Sequence, residues 1–237
     1  MVLQLPTLQY HITMTYDLKS VFTFLAELNQ NNDRTWFLAH KDQYEKAKDT
    51  LEVFVFSLFP ALDIDPGTQK ASYWFHRIYR DARFSADKTP YKPNFGAVLD
   101  QGGKKAKGLG AFFHFQPGNE TMVAGGLWNP EPATLKNFRL DMEDGPRAFL
   151  QILDSPDFKK YLKFQDGYKL TRVPRGFDAD HPAAELLKLK KVVAWRTFSD
   201  QEVLSPGFAS EVVATVKALK PFLGYLEEAS GLVESLD

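Results

Sequence analysis

Apolar residues return every three or four positions at Leu18, Val21, Phe22, Leu25 and Leu28, behind an Asp17 placed to cap a helix. Asn29 to Asn32 interrupts this stripe. After Asp33 the step resumes at Phe37, His40, Tyr44, Ala47, Leu51, Val55, Leu58 and Leu62. That spacing predicts one long helix, closed by Pro60 and the Asp65-Pro66-Gly67 turn, with Phe37, Tyr44, Leu51 and Leu58 in the core.

From Ser72 the period drops to two. Tyr73, Phe75, Arg77 and Tyr79 alternate with Trp74, His76, Ile78 and Arg80, which predicts a strand whose second half is polar on both faces. Phe95, Ala97 and Leu99 predict another strand, and Gln101 to Gly108 reads as a solvated hairpin loop. Leu109 to Gln116 and Thr121 to Trp128 are aromatic and β-branched runs joined by Pro117-Gly118-Asn119, the turn chemistry of an antiparallel hairpin.

Helical spacing then returns. Pro130 and Pro132 open a helix carrying Leu135, Phe138 and Met142, which Gly145-Pro146 breaks. Ser155-Pro156 starts a short helix, Asp180 or His181 another through Leu186, Leu187 and Leu189, and Ser205-Pro206 a last one bearing Phe208, Val212, Val216, Leu219, Phe222 and Leu226. Strands gathered in the middle with helices at both ends predict an α+β fold, with a mainly antiparallel sheet from about residues 72–128. Without an internal repeat or a low-complexity linker, residues 1–237 read as one domain.

Composition narrows the function. A chain of 237 residues that is 44% hydrophobic and 14% aromatic has ample material for one core. Lys plus Arg (29) against Asp plus Glu (30) gives a formal charge of -1, which disfavours nucleic acid and anionic membranes as partners and makes any electrostatic work local. The absence of cysteine excludes thiolate chemistry and disulfides. No cationic start followed by an apolar run marks export, so a cytoplasmic location is expected. No apolar run approaches the roughly 20 residues of a membrane-spanning helix.

Familiar reaction signatures are missing. The glycine-rich stretch lacks the G-x-x-x-x-G-K-[ST] order, and Gly108-Leu109-Gly110 leads into an aromatic run where a dinucleotide site requires a helix. Neither H-E-x-x-H nor G-x-S-x-G occurs, and no cofactor is implied. The Asn119-Glu120-Thr121 sequon carries no weight without a secretory signal.

Two polar segments remain. The first, RIYRDARFSADKTPYK, places Arg77, Arg80, Arg83, Lys88 and Lys92 around Asp81, Asp87 and Tyr91. The second, LTRVPRGFDADHPAAE, places Arg172 and Arg175 before Asp178, Asp180, His181 and Glu185. Guanidinium groups suit bidentate recognition of phosphate or carboxylate, and clustered cations repel one another unless an anion compensates. The expectation is an Arg/Lys-rich pocket for a small phosphorylated or carboxylated ligand, shared by both segments, with Trp128 and Tyr91 orienting the ligand. Asp81 and His181 are the candidates for proton transfer. Pairing of these arginines with their neighbouring carboxylates in a purely structural or interaction module is the competing account. Asp180, His181 and Glu185 form a weak metal-ligand set, against which helix capping is the stronger reading. His40 and His76 read as satisfied core histidines, and so does His114 on its strand. Gly125-Gly126 reads as a place where another backbone or a ligand comes close.

Taken together, RIYRDARFSADKTPYK, the GGLWNP of Gly125 to Pro130, LTRVPRGFDADHPAAELLKLK and the NNDRTWF of Asn31 to Phe37 resemble the family catalogued as domain of unknown function 2461, over about residues 16–226. His40 stands where the family pattern has Asn, and Pro93 where it has Thr. The resemblance implies that the two polar segments are family signatures, and it implies no reaction.

Overall fold

In the computed structural model, which describes residues 16–64, 75–81, 83, 86–99, 109–165 and 167–232, Asp17 accepts the backbone N–H of Ser20 at 3.1 Å and starts α1 (Leu18–Gln30). Asp33 caps α2 (Arg34–Ala39) in the same way, through Thr35 and Trp36. The predicted long helix is not continuous. His40 leaves helical geometry at φ -115° and ψ 23°, stacks on Trp36 with ring centroids 4.1 Å apart, and separates α2 from α3 (Lys41–Leu58). The apolar spacing is blind to this break because the stripe stays on one side of it. Phe37, Leu51 and Leu58 are buried as expected, and Tyr44 is half-buried with its hydroxyl pKa pushed up to about 12, chiefly by burial.

The fold is α+β. Its sheet contains β1 (Phe95–Leu99), β2 (Ala111–Phe115), β3 (Thr121–Leu127), β4 (Lys163–Phe164) and β5 (Val192–Phe198) in the order β1-β2-β3-β5-β4, all antiparallel. The strands therefore do not all fall within residues 72–128. β5 escapes a period-two search because Val192, Val193 and Ala194 are all buried, and because Arg196 stands on the helix-covered face. That arginine is accommodated by Glu211 at 2.7 Å, Thr215 at 3.2 Å and Glu202 at 3.3 Å. The strand predicted from Ser72 is reduced to isolated bridges, Phe75 to Ala97 and Tyr79 to Tyr91, and Ser72 to Trp74 lie outside the described residues. The Gln101 to Gly108 loop also lies outside them.

Six further helices follow among the described residues. They are α4 (Pro132–Asp144), α5 (Arg147–Asp154), α6 (Pro156–Tyr161), α7 (Ala184–Leu187), α8 (Asp200–Val203) and α9 (Phe208–Ala229). The spacing gives no warning of α5 or α8, and α7 starts three residues after His181 and lasts one turn. Ser199 and Glu202 close a reciprocal capping box that explains α8. The longest helix, α9, crosses one face of the sheet. Phe208 packs against Phe54, Phe115 and Phe198, while the methyl groups of Leu219 and Leu223 lie over Gly125. No helix of the described residues is long and apolar enough to cross a membrane.

Candidate functional site

The first polar segment extends the β1 edge beyond the sheet. His76 N–H bonds Gly96 O at 2.7 Å, Lys92 N–H bonds Ile78 O at 2.9 Å and Arg80 N–H bonds Pro90 O at 2.9 Å, so residues 75–80 run antiparallel to residues 90–97. Between the two bridges the register slips by two residues at Pro93-Asn94, opposite Arg77. Proline, lacking an N–H, belongs at such a slip. One side of this hairpin is apolar and tied to the helices. Tyr91 is buried and stacked on Phe37 at 4.0 Å, and Asn32 bonds both its N–H (3.1 Å) and its C=O (2.9 Å). Tyr91 therefore belongs to the core.

The charges of the hairpin are partly cancelled from within. Asp81 takes Arg83 in a bidentate pair, from Nε at 2.9 Å and Nη2 at 2.7 Å, which draws its carboxyl below the ordinary range. Asp87 accepts the Thr89 N–H at 2.9 Å and hydroxyl at 2.8 Å with one oxygen and Arg80 with the other, and it too is held low, first by Thr89. Five cations face two carboxylates between Arg77 and Lys92. Arg77 is exposed with no carboxylate partner among the described residues, and Lys92 donates to the Arg77 carbonyl at 3.1 Å. The Lys92 ammonium is pushed below its ordinary pKa by burial and by the charges of Arg77 and Arg80. The Nε of Arg80 is buried with no hydrogen-bond acceptor among the described residues. Lys88 is exposed on the same hairpin.

The second segment lies at the diagonally opposite corner. Phe95, Phe115, Thr121 and Phe198 share one level of the sheet, beyond which the first hairpin projects from the β1 edge. The register of the β4-β5 ladder recurs past the other end, at Gln165 to Val193 and at Lys169 to Leu189, leading into the second segment. Four strand spacings and at least the length of β5 separate them, on the order of 30 Å. Arg172 and Arg175 are exposed at that far corner. The topology therefore does not bring the two segments into one pocket. Sequence alone conceals this, because β5 inserts between β3 and β4 and so sets the two segments at opposite edges.

A family model described as "Conserved hypothetical protein (DUF2461)" matches residues 20–225. The chain belongs to that family. No curated protein and no solved structure matches it. The DUF2461 match spans both polar segments, so membership does not favour either corner over the other.

At the second corner of this DUF2461 chain the polar groups are used locally. His181 accepts the Ala183 N–H on Nδ1 at 3.1 Å, Asp180 N–H bonds Asp178 at 2.9 Å, and Glu185 pairs with Lys188 at 2.7 Å and Lys169 at 3.3 Å, both of which hold its carboxyl low. His181 precedes α7, so it and Glu185 do not share a helix face as their spacing suggests. Among the described residues no three His, Asp or Glu side chains converge as a metal set. Trp128 is 53% exposed and faces the Lys191 ammonium at 3.8 Å, with Tyr168 on it at 4.5 Å. That aromatic clamp is part of the far corner and is remote from Arg77. His114 is half-buried on Gln116 at 3.0 Å with its pKa lowered chiefly by burial, as a satisfied strand histidine should be. His76 departs from expectation, being exposed beside Phe112, and His40 is half-buried.

Two contributors to the hairpin escape a search for charge. Asn32 and Thr89 are neutral, yet one fixes Tyr91 and the other orients Asp87. The signal for Asn32 is its place in NNDRTWF, which marks a helix break and a family motif and says nothing of a bond to Tyr91.

Proposed function

We propose that the protein binds a small anionic ligand, phosphorylated or carboxylated, on the paired segments of residues 75–80 and 90–92 through Arg77, Arg80 and Lys92. One observation carries this reading: the hairpin's own carboxylates are paired with Arg80 and Arg83, and among the described residues Arg77 and Lys92 remain as adjacent cations without a paired carboxylate. Like charges held beside the part-buried Lys92 ammonium disfavour the empty site, and an arriving anion relieves them. The Asp81-Arg83 and Arg80-Asp87 pairs then act as a frame that sets the loop, with Arg83 and Lys88 on its rim. Arg172, Arg175 and Trp128 take no part.

The competing reading is a structural or interaction module, favoured by the bidentate Asp81-Arg83 pair and by the stacking of Tyr91 on Phe37. Thermal-shift measurements at low salt against phosphates, nucleotides and carboxylates separate the two. Stabilisation by anions that disappears in Arg77→Ala and Lys92→Met supports binding. A panel without any anion effect ends it.

A further inference from the structure

We infer that the ligand of the Arg77-Arg80-Lys92 cluster carries a phosphate monoester, a dianion, and that the Nε–H of Arg80 donates to one of its oxygens. This rests on the anion-binding reading above and names the chemical class of the ligand. The first ground is charge. Asp87 answers Arg80 and Asp81 answers Arg83, whereas among the described residues neither Arg77 nor Lys92 is hydrogen-bonded or ion-paired to a carboxylate, Arg77 acting on Asp81 only at longer range. A carboxylate brings one negative charge and leaves one of these two cations uncompensated. A phosphate monoester brings about two at neutral pH and matches both.

The second ground is the inventory of donors. Among the described residues, Lys92 has one N–H on the Arg77 carbonyl and two remaining, Arg77 offers a whole guanidinium fork, and Arg80 offers a buried Nε–H without an acceptor. Buried N–H groups are seldom left unmatched in folded proteins, so this one marks a place where an acceptor is expected. Its own side chain explains why no internal acceptor serves. The Arg80 Nη1 is already fixed on Asp87, whose other oxygen is fixed by Thr89, and that geometry holds the guanidinium with Nε turned inward. The donors of Arg77, Arg80 and Lys92, of which the Lys92 ammonium feels the charges of both arginines, match in number the three terminal oxygens of a monoester better than the two of a carboxylate, and they suit a diester less because esterification removes one charge and one acceptor.

Isothermal titration of the whole protein with phenyl phosphate, methyl phenyl phosphate and benzoate at pH 7.5 and low salt tests this directly. The three probes share a ring and differ in charge and oxygen count. The expected result is tighter binding of phenyl phosphate than of either monoanion by about tenfold or more, the worth of one charge-assisted hydrogen bond. Arg80→Lys, which keeps the positive charge for Asp87 and removes the Nε donor, is expected to lower that preference. Equal affinities for all three probes would overturn the monoester assignment while leaving the anion-binding reading intact. Binding of none would overturn both. An unchanged preference in a folded Arg80→Lys protein would remove Arg80 from the assignment.

Discussion

Asn32 holds Tyr91 by both of its backbone polar groups, the side-chain amide donating to the carbonyl at 2.9 Å and accepting the N–H at 3.1 Å across 59 residues of sequence. The amide imitates a neighbouring strand at a point where the sheet has none. It connects the α1-α2 turn to the cationic hairpin, and with the stacking of Phe37 on Tyr91 it fixes the base from which Arg80 and Lys92 project. Asn32→Ala leaves both groups of Tyr91 unmatched in a part-buried setting and is expected to cost about 1–3 kcal/mol. Asn32→Asp retains the acceptor and loses the donor, so it should fall between. Denaturant melts rank the three proteins, and amide exchange at Tyr91 should accelerate in the same order.

Leu51 lies on the buried stripe of α3 and is fully enclosed. Leu51→Ala removes its contacts and leaves a cavity in the core, so a loss of about 2–5 kcal/mol is expected. Val53, on the opposite side of the same helix and 49% exposed, provides the internal control. Val53→Ala should change stability by less than about 0.5 kcal/mol. Urea midpoints at unchanged slope decide both.

Gly125 and Gly126 look equivalent in sequence and are not. A Cβ on Gly126 would lie 2.1 Å from the Val192 carbonyl at a φ of +126°, whereas one on Gly125 meets only the Leu219 and Leu223 methyl ends at 2.9 Å. Backbone cannot yield there and leucine side chains can. Gly126→Ala is therefore expected to cost more than about 3 kcal/mol and to loosen the β3-β5 pairing, with Gly125→Ala clearly milder. Comparing their melts, and the exchange of the Val193 amide, tests the distinction.

Much of this architecture was legible because local rules and tertiary packing agree. The stripe of α1, the turn before Thr121 and the run from Phe208 to Leu226 each state one period and keep it. Where one residue serves two purposes the pattern fails. His40 continues the apolar spacing while its backbone ends α2, and Arg196 occupies a core-facing strand position because α8 and α9 supply its acceptors. The cation cluster itself was visible as charge density between Arg77 and Lys92. Its separation from Arg172 was not, because distance depends on strand order, and strand order turned on β5. Asn32 was hidden for a related reason: a side chain that replaces a strand leaves no periodicity behind.

Lys92 separates a binding site from a structural network. Its ammonium donates to the Arg77 carbonyl at 3.1 Å, yet burial and the charges of Arg77 and Arg80 hold it below the ordinary lysine value of 10.5. A cation disfavoured in the folded state weakens folding while it is charged. Between its lowered folded pKa and 10.5 the unfolded chain binds more protons, so stability on this account rises with pH across that interval. Lys92→Met keeps the apolar stem and removes the charge. At neutral pH its melting temperature is expected to equal that of the parent or exceed it by about 1–3 °C. The advantage should shrink as pH rises through the lowered Lys92 value and the parent loses the same charge. The stabilisation conferred by phenyl phosphate should vanish in the variant at every pH. If the cluster serves structure alone, the opposite is expected, because losing the bond to Arg77 then brings no compensating relief and Lys92→Met melts lower than the parent. Thermal melts at pH 7, 8.5 and 10, with and without phenyl phosphate, distinguish these outcomes in one set of measurements.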